Sequence, residues 1–208
     1  MVHLLESDGR CKVFSRQGTP LLQFQTVYDP VYNAQYGTPV SPDGRWLLMG
    51  SPDRGIHCYD LQLGAILWRK GPDRVRSLFV TEDSVVAEVA GEGVQARELL
   101  TGELRHDFPL VRIGVCRQVG REELFAGPGR DSYYLLRIPD LEVLGRVPLS
   151  RINPQRCATQ MIRGAFRVGG RLTVWGWEEP ARSARREGGM REFERSVVPR
   201  LECEAEAV

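Results

Sequence analysis

Pro39-Val40-Ser41-Pro42-Asp43-Gly44-Arg45-Trp46-Leu47-Leu48-Met49 and the run that follows it to Trp68 decide how this chain folds. Ser41-Pro42-Asp43-Gly44 is a turn by mechanism: proline presets φ, aspartate caps backbone N–H groups and glycine accepts a positive φ. Trp46 to Met49 then reads as a buried strand, Ser51 to Gly55 as a second turn, and Ile56 to Leu61 as the next strand. Leu63-Gly64 turns into a further strand, Ala65 to Arg69. With Pro39-Val40 as a leading strand, the stretch Gly37 to Gly71 holds four short strands and no helical periodicity.

The same phrase recurs on both sides. Downstream, one unit has strands at Arg76 to Thr81, Val85 to Ala90, Val94 to Leu99 and Leu104 to Phe108; the next has Ile113 to Val119, Glu123 to Ala126, Tyr133 to Ile138 and Val143 to Leu149. A partial unit precedes them, at Val2 to Glu6, Lys12 to Ser15 and Leu21 to Gln25. Another follows, at Ala158 to Ile162, Ala165 to Val168 and Leu172 to Trp177. The last strands of the first four units start at Leu21, Ala65, Leu104 and Val143, so the steps are 44, 39 and 39 residues. Strands such as Val85-Val86-Ala87-Glu88-Val89-Ala90 are too apolar to leave a face wet, so successive sheets must cover one another.

The joints carry a family resemblance. Asp60-Leu61-Gln62-Leu63-Gly64-Ala65-Ile66-Leu67-Trp68 has the spacing D-x-x-x-G-x-x-x-W, and Glu98-Leu99-Leu100-Thr101-Gly102-Glu103 repeats its first half. This resembles the strand-to-strand joint of quinoprotein-like β-propellers, and Ser41-Pro42-Asp43-Gly44 before an apolar strand is similar to WD40-type repeats. The resemblance covers residues 1–177 and implies an all-β propeller of four to five four-stranded blades. Three full units and two partial ones leave two ways to finish such a ring: the partial units combine into one closing blade, or another chain completes it. The Trp-Asp and Gly-His signatures are absent, and the joint Pro139-Asp140-Leu141-Glu142 lacks the glycine.

From Glu178 the composition shifts to Arg and Glu, with Gly188-Gly189 and Pro199, so residues 178–208 read as a charged, flexible or weakly ordered extension in which a short strand at Ser196 to Leu201 is conceivable. Over the 208 residues, 28 basic and 27 acidic side chains leave a formal net charge of +1, which offers no field for nucleic acid or an anionic membrane. The first ten residues carry Glu6, Asp8 and Arg10 where a signal peptide needs an apolar run. Five scattered cysteines, with no CxxC pair, fit reduced thiols. The expected location is the cytoplasm.

Catalytic motifs are missing. His57 and Cys58 are neighbours on a strand, so their side chains point to opposite faces and cannot share a metal. Gly127-Pro128-Gly129-Arg130-Asp131 lies between strands without the Gly-Lys-Ser/Thr ending of a phosphate loop and reads as a hairpin. Although quinoprotein-like repeats suggest a redox cofactor, the matching motif belongs to their structural girdle, so no cofactor and no metal is expected. The candidate binding residues are Tyr28, Tyr32 and Tyr36 in the long connection Val27 to Tyr36, with Arg54 and Arg130 in analogous turns. These point to a non-catalytic module binding a protein partner. Two other readings stand beside it: a small propeller enzyme acting on a carbohydrate or lactone with an axial metal or carboxylate site, and a partial propeller that self-associates or joins a larger assembly.

Overall fold

Alternating apolar and polar residues punctuated by Gly, Asp and Pro give short antiparallel strands, and the computed structural model contains little else. It describes residues 2–29, 33, 38–51, 54–71, 74–110, 115–129, 132–152, 159–168, 171–179 and 191–197. The strands are β1 Val2–Leu5, β2 Arg10–Phe14, β3 Pro20–Gln25, β4 Trp46–Ser51, β5 Gly55–Asp60, β6 Ala65–Lys70, β7 Val75–Val80, β8 Ser84–Val89, β9 Gly93–Glu98 and β10 Leu104–Pro109. After them come β11 Val115–Gly120, β12 Glu123–Gly127, β13 Ser132–Arg137, β14 Val143–Pro148, β15 Thr159–Val168, β16 Arg171–Glu179 and β17 Arg191–Val197. They form five meandering antiparallel sheets in chain order: β1-β2-β3, β4-β5-β6, β7-β8-β9-β10, β11-β12-β13-β14 and β15-β16-β17. No helix among the described residues is long and apolar enough to cross a membrane.

The chain forms two compact units, Met1–Phe108 and Pro109–Val208. In the first, the first and second sheets share a core of Cys11, Val13, Leu47, Met49, Tyr59 and Leu61. The second and third share another, built on Trp46, Leu48, Ile56, Cys58 and Trp68 against Val85, Ala87, Val89 and Leu99. In the second unit, Phe125, Tyr133 and Val147 of the fourth sheet meet Ile162, Leu172 and Val174 of the fifth. The second sheet is therefore apolar on both faces, which is why β4 and β5 are buried along their whole length.

Several sequence expectations need correcting. The leading strand of the second unit shrinks to one bridge, Val40 to Leu47, because Pro39 has no N–H to extend the ladder. The expected strands Ala158 to Ile162 and Ala165 to Val168 are one strand, β15, whose register shifts between Ile162 and Gly164; the glycine marks a bulge, not a turn. Leu149 does not close β14 but starts a helical turn, Leu149–Ile152, that buries Ile152. Inside the segment read as an extension, Arg191–Val197 pairs with β16 from Leu172↔Val197 to Glu178↔Arg191. Charge hid this strand, since ladder bonds depend on a free neighbouring edge and not on apolar side chains. Among the described residues the two partial units build the three-stranded sheets β1-β2-β3 and β15-β16-β17.

Candidate interaction surface

Three joints between the last two strands of a sheet share one geometry. The N–H of Gly64 donates to the Asp60 carbonyl at 2.8 Å, that of Gly102 to Glu98 at 2.9 Å, and that of Leu141 to Arg137 at 2.9 Å. In each, an N–H just after the next-to-last strand donates to the carbonyl just before the preceding strand: Leu61 to Arg45, Leu99 to Asp83 and Ile138 to Glu122, all at 2.8 Å. The turn needs a left-handed residue, with φ of 66° at Gly64 and 71° at Gly102. Leu141 adopts 59° at the same place, so the glycine lost from the sequence did not cost the turn. A non-glycine residue there loses about 1–2 kcal/mol, which burying the leucine side chain offsets by about 1.5–3 kcal/mol.

The joints are also where one sheet seats on the next. The Trp68 indole N–H donates to the Leu99 carbonyl at 2.7 Å, and a Cβ on Gly102 would lie 2.7 Å from the indole ring. One sheet earlier, a Cβ on Gly64 would lie 2.9 Å from Leu22 and 3.1 Å from Phe24. The cross-strand row Leu5, Cys11, Phe24 in the first sheet corresponds to Leu48, Cys58, Trp68 in the second, so aromatic-over-glycine is a repeated device. Burial pushes the Cys11 thiol up to about 11 and the Cys58 thiol up to about 12, which keeps both protonated and inert.

Polar residues at the turns are committed to structure. Asp43 is held below its ordinary pKa by the Ser41 hydroxyl and the Arg45 N–H, and Asp83 by the Ser84 hydroxyl and the Arg105 guanidinium. Burial alone would raise the Asp60 carboxyl, but Arg45 at 2.9 Å and the N–H groups of Gln62 and Leu63 outweigh it and hold it low. The Arg45 guanidinium also lies 4.3 Å from the Trp46 ring centre. A carboxyl whose folded pKa is depressed stabilises the protein above the unfolded carboxylate pKa, about 4; that contribution is lost as pH falls through the folded value. Asp60→Asn is expected to cost about 1–3 kcal/mol at pH 7. In urea titrations the gap between wild type and variant should narrow at pH 3; a gap of equal size at both pH values would contradict the assignment.

The sequence-predicted residues fare unevenly. Tyr28 is half-buried against the core between the first and second sheets, while its N–H donates to the Thr26 hydroxyl at 3.2 Å. The connection is tied down nearby: the Val27 N–H donates to the Tyr59 hydroxyl at 3.0 Å, and buried Asn33 donates from Nδ2 to the Gly50 carbonyl at 2.9 Å. Tyr32, Tyr36 and Arg130 lie outside the described residues. Arg54 is exposed in its turn, and its carbonyl accepts a bond from the Arg69 guanidinium at 3.1 Å. His57 stacks on Tyr59 while Cys58 enters the core between the second and third sheets, the opposite-face placement that strand alternation dictates. Gly127–Gly129 turns between β12 and β13, with the Gly129 N–H on the Ser132 carbonyl at 2.8 Å.

Sequence reading missed a different set. Leu63, Ile66, Leu67, Leu100 and Leu104 are all exposed, on the last strands and joints of the second and third sheets. Their signal was present, since β6 is exposed at every position but Trp68 and β10 at every position but Phe108, but apolar residues in a repeat read as core until a neighbour is assigned.

No protein-family model matches the chain, and no curated protein does. Solved structures are similar to it. BamB from Moraxella catarrhalis superposes with a TM-score of 0.62 at 12% identity, over 83% of this chain and 51% of its own. The computationally designed Ika8 protein gives 0.56 at 12%, over 92% and 54%; the designed Ika4 protein gives 0.52 at 11%, over 79% and 92%. The chain thus spans about half the length of BamB and of Ika8. BamB and these designs are propellers, and the five meandering sheets of this chain are a β-propeller repeat fold.

Proposed function

We infer that this chain is a non-catalytic protein-interaction module that presents the outer strands of its second and third sheets to a protein partner. One observation carries the reading: Leu63, Ile66, Leu67, Leu100 and Leu104 stand exposed on neighbouring sheets whose interior is already filled. Apolar residues grouped on a rigid scaffold gain by being covered, and a partner surface is what covers them. Arg105, paired to Asp83 at 3.1 Å and Glu98 at 3.2 Å on the same last strand, supplies a polar margin of the kind interfaces have. The buried free thiols of Cys11 and Cys58 suit a reducing compartment.

The test compares proteins captured from native lysate by the wild-type chain with those captured by a Leu63→Glu, Ile66→Glu, Leu104→Glu variant and by a Tyr28→Ala, Tyr32→Ala, Tyr36→Ala variant. A partner retained by the tyrosine variant and lost, about tenfold or more, by the outer-strand variant supports this surface. Equal capture by wild type and the outer-strand variant, with unchanged circular dichroism, overturns it.

A further inference from the structure

We propose that the partner segment covering the outer strands is acidic as well as apolar, its carboxylates meeting Arg69 and Arg74 beside Ile66 and Leu67. This rests on the reading of the outer strands as a protein-binding surface and names the chemistry of what binds there.

The ladder between β5 and β6 slips once. Trp68 stands opposite Cys58 but Ile66 stands opposite Tyr59, so Leu67 is the extra residue of a bulge. Simple alternation would put Ile66 and Arg69 on opposite faces of the strand. The bulge puts them on one face, because Arg69 stands opposite His57, and the His57 and Tyr59 rings stack on a shared face. An aliphatic side chain that is 51% exposed and an exposed guanidinium therefore stand together. A bulge also spoils an edge for strand addition, so the occupant is held by side chains and not by a ladder.

Arg69 is already oriented. Its Nε donates to the Arg54 carbonyl at 3.1 Å, which leaves the two terminal nitrogens of the guanidinium for a carboxylate. The turn that supplies this carbonyl abuts the end of β6, since a Cβ on Gly55 would lie 2.9 Å from the Lys70 carbonyl oxygen. A few residues on, Arg74 is exposed at a φ of 64°, a left-handed conformation that is unfavourable to an L residue. Its carbonyl accepts the Ala90 N–H at 3.1 Å, a bond that glycine would keep. Among the described residues neither Arg69 nor Arg74 has a carboxylate partner, whereas Lys70 is paired with Glu103 and Arg105 with Asp83 and Glu98. The strain at Arg74 thus holds a cation that the described part of the fold does not use, and strained backbone of this kind gathers at binding sites.

Charge complementarity chooses the occupant. Two guanidinium groups without carboxylates select anionic groups, and Ile66 and Leu67, the latter 42% exposed, select apolar cover. Nucleic acid offers the first without the second. A segment with Asp or Glu next to Leu, Ile or Phe offers both. The chain's net charge of +1 gives no long-range pull on a polyanion, so close pairing at these two arginines decides.

The test is fluorescence anisotropy with a short labelled peptide alternating Leu and Glu, its Leu and Gln counterpart, labelled oligothymidylate, and phosphatidylglycerol vesicles as competitor. Wild type is expected to bind the Glu peptide about tenfold or more tighter than the Gln peptide, a preference that shrinks with added salt. Arg69→Gln and Arg74→Gly should each remove most of that preference and leave Gln-peptide binding unchanged. Arg74→Gly should also unfold at an equal or higher urea concentration than wild type, which a structural role for the side chain would not give. Ile66→Ser with Leu67→Ser, at unchanged circular dichroism, should weaken both peptides. Equal binding of the two peptides, lost together in the Ile66→Ser, Leu67→Ser variant, would overturn the acidic partner and leave the outer strands as a binding surface. Tighter binding of oligothymidylate, displacement by the vesicles, or no binding of the Glu peptide would each overturn it as well, and lysate capture would then judge the outer strands separately.

Discussion

Trp68→Ala is expected to lower the free energy of unfolding by about 3–5 kcal/mol, the range for deleting a large buried aromatic side chain. The indole is 7% exposed and lies in the core between the second and third sheets, where it touches the joint that begins the next outer strand. Removing it leaves a cavity beside Gly102 and deprives the buried Leu99 carbonyl of its 2.7 Å donor. Trp68→Phe separates the two losses: it keeps most apolar contact and forfeits the hydrogen bond, so about 1–3 kcal/mol is expected. Urea unfolding followed by circular dichroism measures both. A Trp68→Ala midpoint within about 0.5 kcal/mol of wild type would mean that the second and third sheets do not depend on each other.

Gly102→Ala is the mirror of that change. Its methyl group would sit 2.7 Å from the Trp68 ring, which the bond to Leu99 prevents from sliding away, and its φ of 71° is unfavourable to an L residue. Overpacking costs about 1–3 kcal/mol and the left-handed backbone about 1–2 kcal/mol, so about 2–5 kcal/mol is expected in all. The two sites should be strongly coupled. In a Trp68→Ala background the ring is gone, and Gly102→Ala should cost only the backbone part. A double-mutant cycle reads the difference directly, and strict additivity would show that the ring and the glycine do not meet in solution.

Gly64 and Leu141 show how far local reasoning reached into these joints. Gly64 and Gly102 were legible because a tight turn with positive φ selects glycine whatever the rest of the protein does. Leu141 was not, because a leucine reads as a broken motif until the hydrogen bond to Arg137 and its burial are both seen. The candidate site was legible in the same uneven way. Tyr28 was singled out for its type and its loop, but the residues around it are held by Tyr59 and Gly50, partners 32 and 17 positions away. The exposed leucines of the outer strands were visible as apolar letters and invisible as surface.

The amino-acid sequence by itself determined that the chain is all-β, where most strands begin and end, and that one unit recurs about every 40 residues. Those properties follow from alternation and turn chemistry, which act over a few neighbouring residues. Only the tertiary structure decided that Val40 contributes a single bridge, that β15 continues through Gly164, and that Arg191–Val197 completes a sheet. It alone also decided that Val2, Leu4, Phe166 and Trp175 face outward. Whether an apolar side chain is core or surface depends on which sheet lies over it, and that neighbour is supplied by chain far away in sequence.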